Sequence, residues 1–238
     1  MPFWVTHMMV ADRVLEALPQ LARHEYCVGN IAPDCNVENE DWSSFTPPRT
    51  MTHWMGADRK NAADCQRFVE EYLLPRDPQT VQEASFLWGY YTHLVTDAEF
   101  QRTLRTPQHV QAAWQRIKAV PELAVSSEGM PETWDSVKLL IPKADRLGEI
   151  AAIEREYLDT HPASGFWTEI RPLTSFPDYL EFLPPGAIVR KIGVLGYIPE
   201  GRETKYPYIA MTRTEYADFV DRAVQISVET IRQHWKER

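Results

Sequence analysis

The most constraining feature of this sequence is a long helical pattern from Thr80 to about Leu104. Its flanks, TVQEAS and AEFQRT, are polar, whereas its centre, FLWGYYTHLVTD, is apolar on all sides. A helix that is apolar all round must be covered by other elements of the fold. We therefore predict that this helix crosses the core of the protein.

Other helical patterns flank this central helix, and together they predict an all-α fold. The predicted helices cover Met8–Ala22, a segment beginning at Asp58 or Asn61 and ending before PRDP, a segment beginning at Pro107, and Pro131–Ile141, Ala144–Leu158 and Arg213–Trp235. The residues from about Gly29 to His53 are rich in Gly, Asn, Pro and Ser, which predicts a loop. We expect residues 1–238 to form a single, mostly helical domain.

The segment from Pro162 to Pro207 differs in character, because it contains seven prolines. We expect an irregular insertion here, in which Ile188–Ile192 and Val194–Ile198 pair as a small β-hairpin. A long Pro-rich loop in a compact domain is usually either a lid over a site or a wrap around the outside. The sequence leaves both roles open.

Composition excludes several classes of function. The formal net charge of −9 argues against a general nucleic-acid-binding surface, so we expect no stable nucleic acid complex. The N-terminus lacks the pattern of a secretory signal, and no run of about 18 apolar residues predicts a membrane span. The three cysteines contain no CxxC pair, which is typical of a cytoplasmic protein with free thiols.

The central helix carries a histidine and a carboxylate four residues apart, His93 and Asp97. Side chains at this spacing lie on the same face of a helix, so these two can converge on one point. Imidazole and carboxylate are both ligands of zinc and related divalent ions. The alternative interpretation is an ordinary ion pair on the helix surface.

Three further candidate ligands lie in other segments. Asp34 ends the turn-rich sequence GNIAPD, His53 lies in TMTHW, and His7 ends WVTH, one residue before the first predicted helix. Each has an ordinary structural explanation, as a turn-forming aspartate, a half-buried histidine and a helix N-terminal residue. Together with His93 and Asp97 they supply the ligand types that a hydrolytic metal centre uses.

The motifs WVTH, GNIAPD, THW and GYYTHLVTD resemble the zinc-dependent phospholipase C family, whose superfamily also contains the secreted single-strand nucleases. The resemblance covers roughly residues 1–104. It implies an all-α fold with a metal cluster at one end of its helices, and it implies hydrolysis of phosphate esters.

Carried over to this sequence, the resemblance implies that Asp34, His53, His93 and Asp97 bind one zinc ion. Asp97 would bridge to a second ion that His7 helps to bind, and Asp34 would double as the catalytic base. The third zinc of the secreted members needs further His ligands. After Asp97 the chain offers only His109, expected on a helix surface, and His161 and His234, of which His161 lies in a loop that can reach the site. We therefore predict one or two zinc ions, with iron or manganese as alternatives.

These features predict a metal-dependent hydrolase that uses metal-activated water on a phosphate ester or phosphodiester of a small substrate. Two alternatives remain: a non-hydrolytic metalloenzyme, and a helical binding or scaffold protein with a structural metal. The cations that are candidates for binding the substrate anion are Arg49, Arg59, Lys60 and Arg190. The aromatic residues that are candidates for lining the pocket are Trp54, Trp88, Tyr90 and Tyr91. The sequence gives no prediction of the oligomeric state.

Overall fold

The computed structural model of the protein describes residues 3–55 and 63–236. The all-α fold class is confirmed. The helices are α1 (Trp4–Ala17), α2 (Arg23–Ile31), α3 (Arg49–Thr52), α4 (Cys65–Phe68), α5 (Leu74–Arg76), α6 (Val81–Thr103), α7 (Pro107–Ala119), α8 (Pro121–Ser126), α9 (Trp134–Leu140), α10 (Lys143–Thr160), α11 (Ala187–Leu195) and α12 (Arg213–His234). Among the described residues, no helix combines the length and the apolar character needed to cross a membrane.

Helix α6 occupies the centre of the molecule, as predicted. The Thr80 side chain caps its first turn by accepting a hydrogen bond from the Glu83 backbone N–H. Every residue from Ala84 to Asp97 is buried, which is the environment that a helix apolar on all sides requires. The face of α6 that carries His93 and Asp97 therefore lies inside the protein.

Helices α2 and α6 pack with their backbones unusually close together. A Cβ atom added to Gly89 would lie 2.1 Å from the Tyr26 carbonyl oxygen, and one added to Gly29 would lie 1.9 Å from the Phe86 carbonyl oxygen. Only glycine fits at these two positions, because any side chain would overlap the backbone of the other helix. This contact brings the end of α2 next to the ligand-bearing part of α6.

The predicted boundaries near the N-terminus are wrong in two respects. Helix α1 begins at Trp4, not Met8, so that His7 lies inside the helix rather than before it. The helix ends at Ala17, since the residue before Pro19 is disfavoured in the helical conformation, and Leu18 is not helical. A separate helix, α2, then runs through Gly29 to Ile31, where the sequence predicted the start of a loop.

The Pro-rich segment contains no hairpin. Residues Ala187–Leu195 form helix α11, because the buried positions Ala187, Ile188 and Lys191 follow helical spacing. Gly186 precedes the helix with a φ of 70°, a left-handed conformation that favours glycine. Among the described residues the strands are β1 (Val37–Glu38) and β2 (Phe45–Thr46), an antiparallel pair inside the predicted loop.

Contacts of the Pro-rich segment extend along the outside of the helices. Phe176 and Tyr179 pack on Phe86 of α6, and Glu181 pairs with Arg76 at 2.7 Å. Further along, Lys191 Nζ lies 2.7 Å from Glu38 Oε2, and Tyr197 packs against Phe3. Helix α11 therefore supports the β1–β2 pair.

The remaining helix predictions are confirmed with shifted ends. Helices α7, α10 and α12 begin within one residue of their predicted starts, and α12 begins with a capping box formed by Thr212 and Glu215. Helix α9 begins at Trp134 instead of Pro131. The helix start predicted at Asp58 or Asn61, and the candidate cations Arg59 and Lys60, lie outside the described residues.

Candidate metal centre

The structure brings all five predicted ligands together from separate elements. His7 lies on α1, Asp34 ends the 3-10 turn Ala32–Asp34 after α2, His53 directly follows α3, and His93 and Asp97 lie on α6. The closest approaches are 3.2 Å from His53 Nε2 to Asp34 Oδ1, 3.6 Å from His7 Nε2 to Asp97 Oδ1, and 3.8 Å from His53 Nε2 to Asp97 Oδ2. We call these five residues the His/Asp cluster.

The cluster divides into two groups whose candidate ligand atoms lie within 4.8 Å of one another. One group consists of His7, His93 and Asp97, and the other consists of Asp34, His53 and His93. His93 belongs to both, and its ring stacks on His7 with a centroid separation of 3.8 Å. The resemblance implied that Asp97 is the shared residue, so the assignment of each ligand to an ion stays a prediction.

Burial rules out the surface ion pair as an explanation for His93 and Asp97. His93 is fully buried and Asp97 is 5% exposed, while His7 and His53 are each 1% exposed. Polar side chains that are buried this deeply require partners, because each unpaired group costs about 1–3 kcal/mol. The cluster must therefore be explained by its internal contacts or by a group that it binds.

Backbone and hydroxyl oxygens orient two of the imidazole rings. His93 Nδ1 donates to the Asn30 carbonyl oxygen at 2.8 Å, and His53 Nδ1 lies 2.9 Å from the Thr52 hydroxyl. With Nδ1 protonated, Nε2 of each ring carries the lone pair and faces the cluster. Metal-binding histidines typically have such second partners, which fix the tautomer and the ring orientation.

Several atoms of the cluster have no hydrogen-bond partner among the described residues. These atoms are His93 Nε2, His7 Nδ1 and Asp97 Oδ1. An imidazole lone pair and a carboxylate oxygen are both electron donors, so they do not satisfy each other. A divalent cation bound between them would satisfy these donors, and the donor set of imidazole and carboxylate fits zinc.

Electrostatics keep the histidines neutral, as metal ligands must be. Burial lowers the pKa of His93 and of His53, and burial together with the neighbouring His93 lowers the pKa of His7 well below its usual value. Burial raises the pKa of Asp97, and the neighbouring Asp34 carboxylate adds to this shift. Metal binding would reverse this penalty, because a cation favours the ionised carboxylate.

Arg49 contacts the more accessible side of the cluster. Its guanidinium lies 3.1 Å from Asp34 Oδ1 and 2.9 Å from His53 Nε2. An arginine can only donate hydrogen bonds, so His53 Nε2 acts as the acceptor, in agreement with the tautomer above. Although burial opposes ionisation of Asp34, the charge of the Arg49 guanidinium beside it holds the pKa of Asp34 well below the usual range.

Sequence reasoning missed three residues that position the ligands: Trp4, Asn30 and Thr52. The Trp4 indole N–H donates to Asp34 Oδ2 at 3.2 Å, while Asn30 and Thr52 orient His93 and His53. Trp4 and Asn30 were present in the motifs WVTH and GNIAPD. Their contacts depend on how α1, α2 and α6 pack, and local spacing carries no signal for that packing.

A cleft of about 360 Å³ adjoins Arg49. It is lined by Ser43, Ser44, Phe45, Pro48, Arg49, Thr50 and Met55. The other candidate residues lie elsewhere: Trp88, Tyr90 and Tyr91 are buried in the core, Trp54 packs against Phe68, and Arg190 pairs with Glu38 at 2.6 Å. Of the candidate cations in the described residues, Arg49 is therefore the one that lies at the cluster.

The three later histidines, His109, His161 and His234, belong to neither group of the cluster. His234 ends α12, and its ring lies 6.3 Å from the Trp88 ring, centroid to centroid. His161 is exposed and its ring stacks on Tyr157, with centroids 4.1 Å apart. His109 is buried against Trp134 and Glu215, so the expectation of a helix-surface position is wrong. Its burial depends on α9 and α12, which are distant in sequence from α7.

Comparison with known proteins agrees with this site. The family model described as zinc dependent phospholipase C matches residues 6–100. All five members of the cluster lie within the matched segment, and the resemblance predicted from the sequence is confirmed over it. No curated protein and no solved structure significantly matches the chain.

Proposed function

We propose that this chain is a zinc-dependent hydrolase that cleaves a phosphate ester or phosphodiester of a small substrate. The observation that carries the proposal is the buried His/Asp cluster, in which His93 Nε2, His7 Nδ1 and Asp97 Oδ1 have no hydrogen-bond partner among the described residues. Its three histidines and two carboxylates are typical ligands of hydrolytic zinc. The family match to residues 6–100 supports the same reaction class.

In this proposal His7, Asp34, His53, His93 and Asp97 hold one or two zinc ions. Zinc, when bound, supplies a Lewis acid that polarises a phosphoryl oxygen and makes water acidic enough to act as a nucleophile near neutral pH. Asn30 and Thr52 keep the imidazoles of His93 and His53 oriented toward the ions.

Asp34 is the ligand best suited to a second role as the base. Its side chain is 12% exposed, compared with 1% for His53, so it borders the accessible side of the cluster. Its pKa is held low, which keeps the carboxylate ionised and able to accept a proton from the attacking water. The Trp4 indole N–H fixes Oδ2, and this contact restricts the direction in which the carboxylate faces.

Arg49 is the residue best suited to bind the substrate phosphate. It borders both the cluster and the 360 Å³ cleft, and its planar guanidinium can donate two parallel hydrogen bonds to phosphate oxygens. A zinc ion bound by Asp34 and His53 would compete with the guanidinium for their lone pairs, which would favour a contact of Arg49 with the substrate. Ser43 and Phe45 in the cleft wall would contact the remainder of a small ester.

The test is hydrolysis of bis(p-nitrophenyl) phosphate and of p-nitrophenyl phosphate by the zinc-loaded protein. We expect Arg49→Gln to raise the KM for the cleaved ester at least about tenfold while the zinc content stays unchanged, because a lost charge-assisted contact costs roughly 1.5–3 kcal/mol. The matched control is Arg13→Gln, which removes an exposed arginine paired with Asp221 on α12.

Two results would contradict the proposal. The first is stoichiometric zinc binding without hydrolysis of either ester. If removal of the zinc by a chelator also unfolded the protein, the metal would be structural. The second is an equal change in KM for Arg49→Gln and Arg13→Gln, which would show that Arg49 does not bind the substrate.

A further inference from the structure

A second cavity, of about 210 Å³, lies beyond the C-terminal half of α6. Its walls come from α6, α9, α10, α12 and the chain just before α12. No member of the His/Asp cluster lines it, and neither does Arg49. The cavity is therefore separate from the proposed hydrolytic site.

The wall of this cavity contains a half-buried arginine without an anionic partner among the described residues. Arg146 Nε donates to the Ile141 carbonyl oxygen at 3.1 Å, and its guanidinium lies 5.9 Å from the centre of the Trp134 ring. Within the described part of the chain, its two Nη atoms make no hydrogen bond and the side chain forms no ion pair. A guanidinium in this state is a ready partner for a carboxylate or a phosphate, which it can bind through two parallel hydrogen bonds.

The charges around the cavity favour an anion. Arg105 and Lys138 also line it; Arg105 donates to Gln101, and Lys138 is 38% exposed and pairs with Asp135. The carboxylate that faces these cations is Glu149. Its Oε1 already accepts hydrogen bonds from the Tyr208 backbone N–H and the Thr204 hydroxyl, and burial raises its pKa to about 7. Within the described part of the chain, Glu149 forms no ion pair with Arg146.

The remaining wall is mostly apolar. Phe100, Leu104, Ile150, Ile153 and Met211 contribute side chains to the lining. Small-molecule sites in proteins are typically of this kind, with mostly apolar walls and a few placed polar groups that fix the orientation of the ligand. A ligand that matches both features needs an apolar body and one negatively charged end.

We propose that this cavity binds a small amphipathic anion, an aliphatic chain with a terminal carboxylate or phosphate. The charged end pairs with the Arg146 guanidinium, and the chain lies against Leu104, Ile150 and Met211. This inference does not depend on the proposed hydrolase activity, since the two sites share no residue.

The experiment is isothermal titration calorimetry of the zinc-loaded protein with octanoate, octyl phosphate and, as the neutral probe, 1-octanol. We expect one saturable site per chain for at least one of the two anions, and at least about tenfold weaker binding of octanol. Arg146→Gln should weaken binding of the anion at least about tenfold, which is the loss expected for a charge-assisted hydrogen-bonded pair. Arg146→Lys, which keeps the charge but cannot donate two parallel hydrogen bonds, should restore only part of the affinity.

The control is Arg155→Gln on the same helix, an exposed arginine paired with Asp159, which should leave the affinity within about twofold. Unchanged thermal unfolding and unchanged zinc content would show that each variant is folded. The proposal is overturned if neither anion saturates, if octanol binds as tightly as the anions, or if Arg146→Gln binds like the parent. These results do not depend on whether the protein hydrolyses any phosphodiester.

Discussion

Helix α1 contributes to two buried polar clusters, which differ in how many of their polar atoms have hydrogen-bond partners within the protein. The first is the His/Asp cluster, which contains His7. The second surrounds Asp12, whose Oδ1 accepts from the Gly165 N–H at 2.9 Å and from Arg23 at 3.2 Å. Its Oδ2 accepts from the hydroxyls of Ser164 at 2.6 Å and Tyr157 at 2.8 Å. The Asp12 carboxylate therefore has a full set of partners within the protein.

The His/Asp cluster is equally deep but incomplete. Asp97 Oδ1 and His93 Nε2 have no hydrogen-bond partner within the described residues. Asp97 Oδ2 lies 3.8 Å from His53 Nε2 and 4.0 Å from His93 Nε2. A carboxylate that ties loops to helices satisfies all its lone pairs, as Asp12 does. A carboxylate that keeps its lone pairs unpaired in the core is suited to bind something from outside the chain.

The largest effect should come from disturbing the helix contact on which the His/Asp cluster depends. Gly89→Ala would place a Cβ 2.1 Å from the Tyr26 carbonyl oxygen and force α2 away from α6. We expect a loss of at least about 4 kcal/mol in the free energy of unfolding, measured with urea, together with weaker zinc binding. The matched control is Gly193→Ala on α11, where a Cβ meets nothing within 4 Å and should be neutral or stabilising by up to about 1 kcal/mol. Equal effects of the two changes would refute this explanation of the contact.

Asp97→Asn should separate the binding role of its cluster from folding. Removal of the carboxylate charge should weaken zinc binding at least about a thousandfold, because even partners outside the ligand set change affinity ten- to a hundredfold. Without zinc, the variant should unfold at the same urea concentration as the zinc-free parent or at a higher one, because it no longer buries an unpaired carboxylate. Competition with a chromophoric chelator measures the affinity. If the Asp97→Asn variant bound zinc as tightly as the parent does, Asp97 would be excluded as a ligand.

Asp12→Ala should show the reverse pattern. Four hydrogen bonds to a carboxylate are lost, and we expect a decrease of about 4 kcal/mol in the free energy of unfolding. Zinc affinity of the folded variant should stay within about threefold of the parent. If zinc binding were lost while urea stability held, the division between a structural cluster and a ligand-binding cluster would be wrong.

Glu154 lies between these two extremes. Its Oε1 accepts from the Thr6 backbone N–H at 3.0 Å and from the Thr6 hydroxyl, but its Oε2 has no partner within the described residues. Burial raises the pKa of Glu154 to about 7 from an ordinary value of 4.5. The folded state thus holds a proton that the unfolded state releases, so this stabilising contribution is full below pH 4.5 and is lost as the pH rises through 7.

Glu154→Gln removes this pH dependence, because glutamine is neutral at every pH. Between pH 5 and pH 8, the parent should lose about 2.5 kcal/mol of unfolding free energy relative to the variant. Urea unfolding at the two pH values measures the difference. Glu156→Gln, which alters an exposed carboxylate on the same helix, should show almost none of it. If the stability difference between the parent and the Glu154→Gln variant did not change with pH, Glu154 would not be buried in its protonated state.

The sequence predicted the parts of the structure that depend on local spacing. The apolar pattern of 80–104 predicted the central helix, and the spacing of His93 and Asp97 placed both side chains on one of its faces. The motifs WVTH, GNIAPD and THW indicated the other candidate ligands. These inferences need only the period of a helix and the chemistry of the side chains.

The features that sequence reasoning missed depend on contacts between distant segments. The RHEYCVGNI segment is short and contains glycine, so it carries little helical signal, but packing against α6 stabilises it as α2. The hairpin prediction around Ile188 was wrong. Over so short a run, β-branched residues fit the period of a strand as well as that of a helix. Arg49 was one of four candidate cations, and its contacts with Asp34 and His53, which local spacing does not predict, distinguish it from Arg190.

X-ray absorption spectroscopy of the zinc-loaded protein tests the central claim most directly, namely that the His/Asp cluster is a zinc centre. We expect one or two zinc ions per chain with a first shell of only nitrogen and oxygen at about 2.0–2.2 Å, and loss of that signal in Asp97→Asn. The chain also contains Cys27, Cys35 and Cys65, which offer an alternative set of ligands. A sulfur shell at about 2.3 Å, or a spectrum that Asp97→Asn leaves unchanged, would contradict this assignment.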